Sequence, residues 1–124
     1  MRLLLDSHVV LWWLFGLPVK EEALTAIESP HNTTFVSAAA VWEIEIKRAA
    51  GRLTAPDDLL DALRSAHCDL LPVLAAHGVT AGQLPRHHGD PFDRMLVAQA
   101  RLEGLTLVTR DERLGAYDVT ILPA

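Results

Sequence analysis

Cysteine is nearly absent from this chain: Cys68 stands alone, so no internal disulfide can form, and no Cys or His cluster at zinc spacing surrounds it. A fold without covalent staples fits a reducing, cytoplasmic compartment, and Cys68 reads as a small apolar residue. A long hydrophobic run is missing too. Residues 3–5 and 9–15 are strongly apolar, but Asp6, Ser7 and His8 interrupt them, and Gly16-Leu17-Pro18 ends the stretch far short of a membrane span. With only Arg2 ahead of the first run, a secretion signal is not expected either. Basic charge is scarce: Lys and Arg total 11 against 16 Asp and Glu, a formal net charge of −5. That balance argues against a protein that grips nucleic acid by its own surface charge. It does not exclude a nuclease working through bound cations, because clustered carboxylates hold the cations and the cations neutralise the phosphate. No repeat, low-complexity tract or linker divides the 124 residues, and 50% of them are hydrophobic, so residues 1–124 are expected to form one domain.

What the chain does have is a set of acids placed one at a time at the edges of apolar runs. Asp6 closes Leu3-Leu4-Leu5, Glu43 sits inside Val41-Trp42-Glu43-Ile44, Asp90 and Asp93 bracket Pro91-Phe92, and Asp111 follows Leu107-Val108-Thr109-Arg110. Solubility alone would scatter carboxylates over exposed helix faces. Short apolar runs bounded by breakers predict buried strands at residues 2–5, 33–36, 69–73, 106–108 and 120–122. Helix patterns cover 8–15, 20–28, 38–50, 56–67, 75–84 and 91–103, with Gly51 and Gly104 as stop signals. This alternation predicts an α/β fold, with a central parallel sheet covered on both faces. The loop cluster Pro85-Arg86-His87-His88-Gly89 leads straight into Asp90.

In an open parallel sheet, ligands bind at the carboxyl ends of the strands. Asp6 ends the first strand, Ser37 ends the second, Asp111 follows the fourth, and Asp93 starts a helix, so they fall on one rim. Glu43 lies about two turns into the helix after Ser37 and reaches back to that rim if its face points inward. Glu43 shares a stripe with Ala39, Ile46 and Ala50, and Glu45 shares one with Val41, Trp42, Arg48 and Ala49. Periodicity alone does not choose between the two glutamates. Each acid also has a simpler explanation. Asp6 and Asp111 suit helix caps, Asp90-Pro91-Phe92-Asp93 makes a near-ideal helix start, and Glu43 suits an i,i+4 pair with Lys47. Taken singly, those explanations are the better ones; four of them meeting on one rim favour a shared metal site.

Four segments in order, Leu4-Leu5-Asp6-Ser7-His8, Val36-Ser37-Ala38-Ala39-Ala40-Val41-Trp42-Glu43-Ile44, Asp90-Pro91-Phe92-Asp93-Arg94-Met95-Leu96-Val97-Ala98-Gln99-Ala100 and Val108-Thr109-Arg110-Asp111, resemble the PIN-domain ribonucleases of the VapC toxin type. The resemblance runs nearly end to end. It implies a three-layer α/β/α sandwich and a metal-dependent endoribonuclease toxin that hydrolyses RNA phosphodiester bonds. It also implies a homodimer neutralised by a cognate VapB-like antitoxin. The family's acids fall on Asp6, Glu43 and Asp93, and its fourth position on Asp111, where many relatives carry Asn followed by a later acid. Asp90 belongs to the Asp-Pro-Phe-Asp signature as a cap or a ligand, and Ser37 matches a polar support after the second strand.

Carboxylate oxygens suit Mg²⁺ or Mn²⁺, which shield the phosphodiester, activate a water and steady the leaving oxygen. Asp6 and Asp93 are expected to hold the principal ion, with Glu43 and Asp111 positioning waters or a second ion. At least one clustered acid should have a raised pKa. Lys47, Arg48, Arg94 and Arg110 are the cations near the site in sequence, though each also suits a solvated surface. His8 is expected to make a structural hydrogen bond, His87 and His88 to be solvated loop residues, and Trp12 and Trp13 to be core residues, one side of which meets a partner in the sharper reading. A receiver-like signalling domain would need a phospho-acceptor Asp at the end of a central strand and a Lys near the last strand; Leu71-Pro72-Val73 and the residues after 122 supply neither. A catalytically silent PIN-like protein-binding module would have lost acids, and all four positions are acidic here.

Overall fold

A computed structural model describes all 124 residues. Five strands, β1 (Arg2–Leu5), β2 (Thr33–Ser37), β3 (Asp69–Leu71), β4 (Thr106–Thr109) and β5 (Ile121–Pro123), form one parallel sheet in the order β3-β2-β1-β4-β5. The helices are α1 (Ser7–Leu14), α2 (Glu21–Glu28), α3 (Ala38–Ala49), α4 (Leu59–Ser65), α5 (Ala75–Gln83) and α6 (Pro91–Glu103), with a 3-10 turn at Glu112–Ala116. No helix is long and apolar enough to cross a membrane.

The two-residue period of a strand separates the hydrophobic cores. Leu3 and Leu5 pack with Val9, Val10, Ala23, Ile27, Ile44 and Leu63 on one face; Leu4 packs with Leu96, Val97, Leu107 and Leu114 on the other. All three leucines of β1 are fully buried. Burying each contributes roughly 1.5–3 kcal/mol, which pins the central strand and everything attached to its end. The expected three layers are therefore present, with α1 to α4 contributing to the first core and α6, the 3-10 turn and Leu84, just past α5, to the second.

Element ends differ from the sequence expectation where a local group decides them. The helix expected over 56–67 shrinks to α4, because Asp58 caps it through the Asp61 N–H and His67 takes a φ of +61° just beyond it. The strand expected to reach residue 73 stops at Leu71, ahead of Pro72, which has no N–H to donate. Helix α1 begins one residue early, at Ser7, since Asp6 is its cap. Gly104 ends α6 at φ +66°, as a C-terminal glycine should.

The strand order reverses between β1 and β4: successive strands run outward from β1 through β2 to β3, then restart on its other side. Loops diverge at such a switch point and leave a crevice at the carboxyl ends of the strands. Asp6 follows β1 and Asp111 follows β4, so they flank it.

Candidate active site

Asp6 is fixed from three directions. Its Oδ1 accepts the His8 backbone N–H at 2.8 Å, capping α1, and lies 3.2 Å from His8 Nδ1; its Oδ2 accepts the Thr109 hydroxyl at 2.8 Å. Its backbone N–H continues the sheet by donating to Val108 O at 3.0 Å. Burial alone would push this carboxyl up, but the hydrogen bonds from His8 and Thr109 and the nearby imidazole together hold it below the ordinary carboxylate value. His8 is raised in turn, chiefly by its bond to Asp6, and makes the structural contact expected of it.

The structure chooses Glu43 over Glu45. Glu43 is 4% exposed and accepts the Ser7 hydroxyl at 2.7 Å and Lys47 Nζ at 2.9 Å, whereas Glu45 bonds Arg48 on the surface. Ser37 caps α3, its Oγ accepting the Ala39 N–H at 3.0 Å, and so orients the helix that carries Glu43. The i,i+4 pair with Lys47 and the inward position coexist, because only the outer carboxylate oxygen meets the lysine.

On the other side, Asp90 caps α6, with Oδ1 accepting the Phe92 and Asp93 N–H groups at 2.8 and 3.1 Å. Asp93 then projects from the first turn to within 2.6 Å of His88 Nε2, which also lies 3.5 Å from Asp111 Oδ2. Asp93 is raised to about 6, first by burial and then by the charges of Asp6 and Asp90, with His88 opposing the rise. Mutual repulsion was the expected cause; burial is the larger one. Asp111 caps the 3-10 turn through the Arg113 N–H and is clasped by the Arg113 guanidinium at 3.0 and 2.8 Å, which holds its carboxyl low.

Asp6, Asp90, Asp93 and Asp111 line one cleft of about 350 Å³ together with His8, Trp12, Arg110 and Arg113. Glu43 is not part of that lining; it stands behind Ser7. A larger hollow of about 490 Å³ around Thr80, Arg101 and Tyr117 is lined by none of these four acids. Donor atoms of His88, Asp93 and Asp111 lie within 4.8 Å of one another, an oxygen and nitrogen set that suits a divalent ion.

Several side chains near the cleft stand differently from what the sequence suggests. His88 is not a solvated loop residue: its side chain is 8% exposed, because its N–H donates to Tyr117 Oη and its carbonyl accepts from Arg94. Arg94 is not a free cation but a clamp, donating also to the carbonyls of Ala81, Leu84 and Pro85. Arg113 was overlooked, although it stands only two residues past Asp111. Arg110 does reach the cleft, stacked 3.8 Å above the Trp12 ring and tied to Pro18 O and Ala124 O, whereas Arg48 is consumed by Glu45, Ala55 O and Pro56 O. Trp12 and Trp13 are half-buried and pack against the first core.

The PIN domain family model matches residues 3–119 of the chain. The chain belongs to the PIN domain family. Among curated PIN relatives it is similar to Ribonuclease VapC22 of Mycobacterium tuberculosis, 29% identical over 119 residues that cover 92% of this chain and 90% of that one. Its PIN fold superposes on VapBC2 from Rickettsia felis, solved bound to a promoter DNA fragment, with a TM-score of 0.74 at 14% identity, covering 99% of this chain and 98% of that one. DNA-bound VapBC from Salmonella typhimurium gives a TM-score of 0.70 at 16% identity, with 99% and 98% coverage.

Proposed function

We propose that residues 1–124 act as a single PIN domain with the activity of a VapC-type toxin: a Mg²⁺- or Mn²⁺-dependent endoribonuclease of the cytoplasm, homodimeric and neutralised by a VapB-like antitoxin. The observation that carries this reading is the convergence of Asp6, Asp90, Asp93 and Asp111, from three separate chain segments, in one cleft at the switch point of the sheet. The similarity to Ribonuclease VapC22 supports an RNA substrate, and the likeness to VapBC assemblies supports the antitoxin.

A bound divalent ion supplies charge to shield the scissile phosphate and acidifies a coordinated water. The chain's own residues then divide the work. Asp6 and Asp93 would hold the ion, Asp6 being oriented by Thr109 and His8 and held below the ordinary carboxylate value. Asp111 would face the ion, or a water on it, at the mouth, where Arg113 and Arg110 meet the RNA backbone. Glu43 supports the floor through Ser7, keeping the Asp6 segment in register. Beside the cleft, Leu11, Trp12, Phe15, Leu17 and Leu53 line an apolar hollow of about 430 Å³ that would receive the antitoxin.

Purified protein incubated with total RNA and Mg²⁺ or Mn²⁺ is expected to give discrete cuts that disappear with a chelator and in Asp6→Ala. Cleavage that survives both treatments would overturn the assignment. Either ion is also expected to raise the melting temperature, by the equivalent of about 2.7 kcal/mol at a hundred times Kd, and the Asp6→Asn, Asp93→Asn double variant is expected to lose that rise.

A further inference from the structure

We infer that His88 is a nitrogen ligand of the metal centre and gives it a preference for Mn²⁺ over Mg²⁺. The inference rests on the metal-dependent reading above and adds to it a ligand outside the carboxylate set.

The ring is held in position by protein contacts alone. Its Nε2 sits 2.6 Å from Asp93 Oδ2 and 3.5 Å from Asp111 Oδ2, and the side chain is 8% exposed. The loop that carries it is held at both ends: Tyr117 Oη accepts the His88 N–H, and Arg94 ties the carbonyls of Ala81, Leu84, Pro85 and His88 to α6. Fixed hydrogen bonds on this scale hold the imidazole against Asp93 and Asp111, which a merely solvated loop histidine would not do.

Distances fit one ion. Donors around a six-coordinate ion at about 2.1 Å stand about 3 Å apart when adjacent and about 4.2 Å apart when opposite. The His88, Asp93 and Asp111 donor atoms, all within 4.8 Å of one another, need only small side-chain rotations to reach that geometry. The donor type then decides the ion. Mg²⁺ favours oxygen and keeps its waters, whereas Mn²⁺ accepts imidazole nitrogen alongside carboxylates. Replacing one oxygen donor by nitrogen therefore costs Mg²⁺ more than Mn²⁺.

Pulsed electron paramagnetic resonance on Mn²⁺ bound to the purified chain reads the ligand directly, through the modulation from a coordinated ¹⁴N. The modulation is expected in the parent protein, absent in His88→Gln and present in His8→Gln, which removes the histidine that lines the cleft beside Asp6. Titration of each ion should show His88→Gln weakening Mn²⁺ by roughly tenfold or more and Mg²⁺ by less than about threefold. A cooperative melt without metal establishes that each variant is folded. Mn²⁺ that binds without nitrogen modulation, or modulation that persists in His88→Gln, removes His88 from the ligand set and leaves the carboxylate centre standing. Absence of any Mn²⁺ binding overturns the centre and this ligand together.

Discussion

Asp6 and Asp93 face the same cleft, yet their surroundings move their carboxyls in opposite directions. Asp6 is more deeply buried, but His8 and Thr109 donate to it and hold it low. Asp93 is less buried, yet burial, helped by the charges of Asp6 and Asp90, outweighs the opposing hydrogen bond to His88 and raises it to about 6. Glu43 and Asp111 repeat the contrast in another form: one is satisfied from within by Ser7 and Lys47, the other by Arg113 at the surface. Burial therefore does not rank these acids. The balance of donors does, and it leaves Asp93 as the carboxylate with most to gain from a nearby cation.

If that comparison is right, removing Asp93 should cost more in catalysis than in folding. Asp93→Asn is expected to lower RNA cleavage by about a hundredfold or more, the scale of losing a preorganised electrostatic contact to the reacting centre. Steady-state cleavage of a defined RNA checks it. A loss of only a few-fold would place the working ion nearer to Asp6 than the cleft geometry implies.

Glu43 should show the reverse balance. Glu43→Ala leaves the Ser7 hydroxyl buried without its acceptor and Lys47 without its partner. A destabilisation of about 2–3 kcal/mol is expected, below the full cost of breaking a wholly buried pair, since Lys47 retains access to water. Urea unfolding measures it; a change under about 0.5 kcal/mol would mean Glu43 is held there for chemistry rather than for structure.

Acidity separates the two aspartates again. Native Asp93 keeps its proton to about pH 6 while the unfolded chain releases it near 3.8, so the native state binds more protons in between. Metal-free stability must then fall as pH rises through that window and level off above it. Asp6 works the other way: its contribution is present above its unfolded value and is lost as pH falls through its lower native one. In chelator, Asp93→Asn is expected to flatten the decline and to gain on the order of 2 kcal/mol at neutral pH, with the partial exposure of the site already discounted. Melting curves at a series of pH values test both signs.

How much of this was legible beforehand depended on the range of the interaction. Strands and layers were readable because Leu3, Leu4 and Leu5 declare a strand buried on both faces, and the stop at Gly104 is a local rule. Asp6, Asp90 and Asp111 were readable as caps, and in the structure all three do cap, while Asp93 stands in the first turn of α6 and all four line the cleft. A cap directs its backbone to the carboxyl end of a strand or the start of a helix, where a switch-point site lies, so the simple explanation and the functional one coincide. His88 was not readable. Its burial depends on Tyr117, which lies 29 residues away, and on an arginine whose target is backbone carbonyls, a partner that no residue pattern reveals.

Arg113 offers the smallest and most selective way to sharpen the contrast between the two sides. Its guanidinium clasps Asp111 through both oxygens from an exposed position, so it competes with any cation for the same carboxylate. Arg113→Ala should tighten divalent-ion binding by about twofold to threefold at low salt, with the gain shrinking as added salt screens the arginine in the parent protein. The same variant should weaken RNA binding modestly, because a cation at the mouth of the cleft is lost. Calorimetric titration of Mn²⁺ alongside RNA binding at two salt concentrations separates the effects. Unchanged metal affinity would mean that Asp111 serves the ion only through water, which would move the centre toward Asp6 and Asp93.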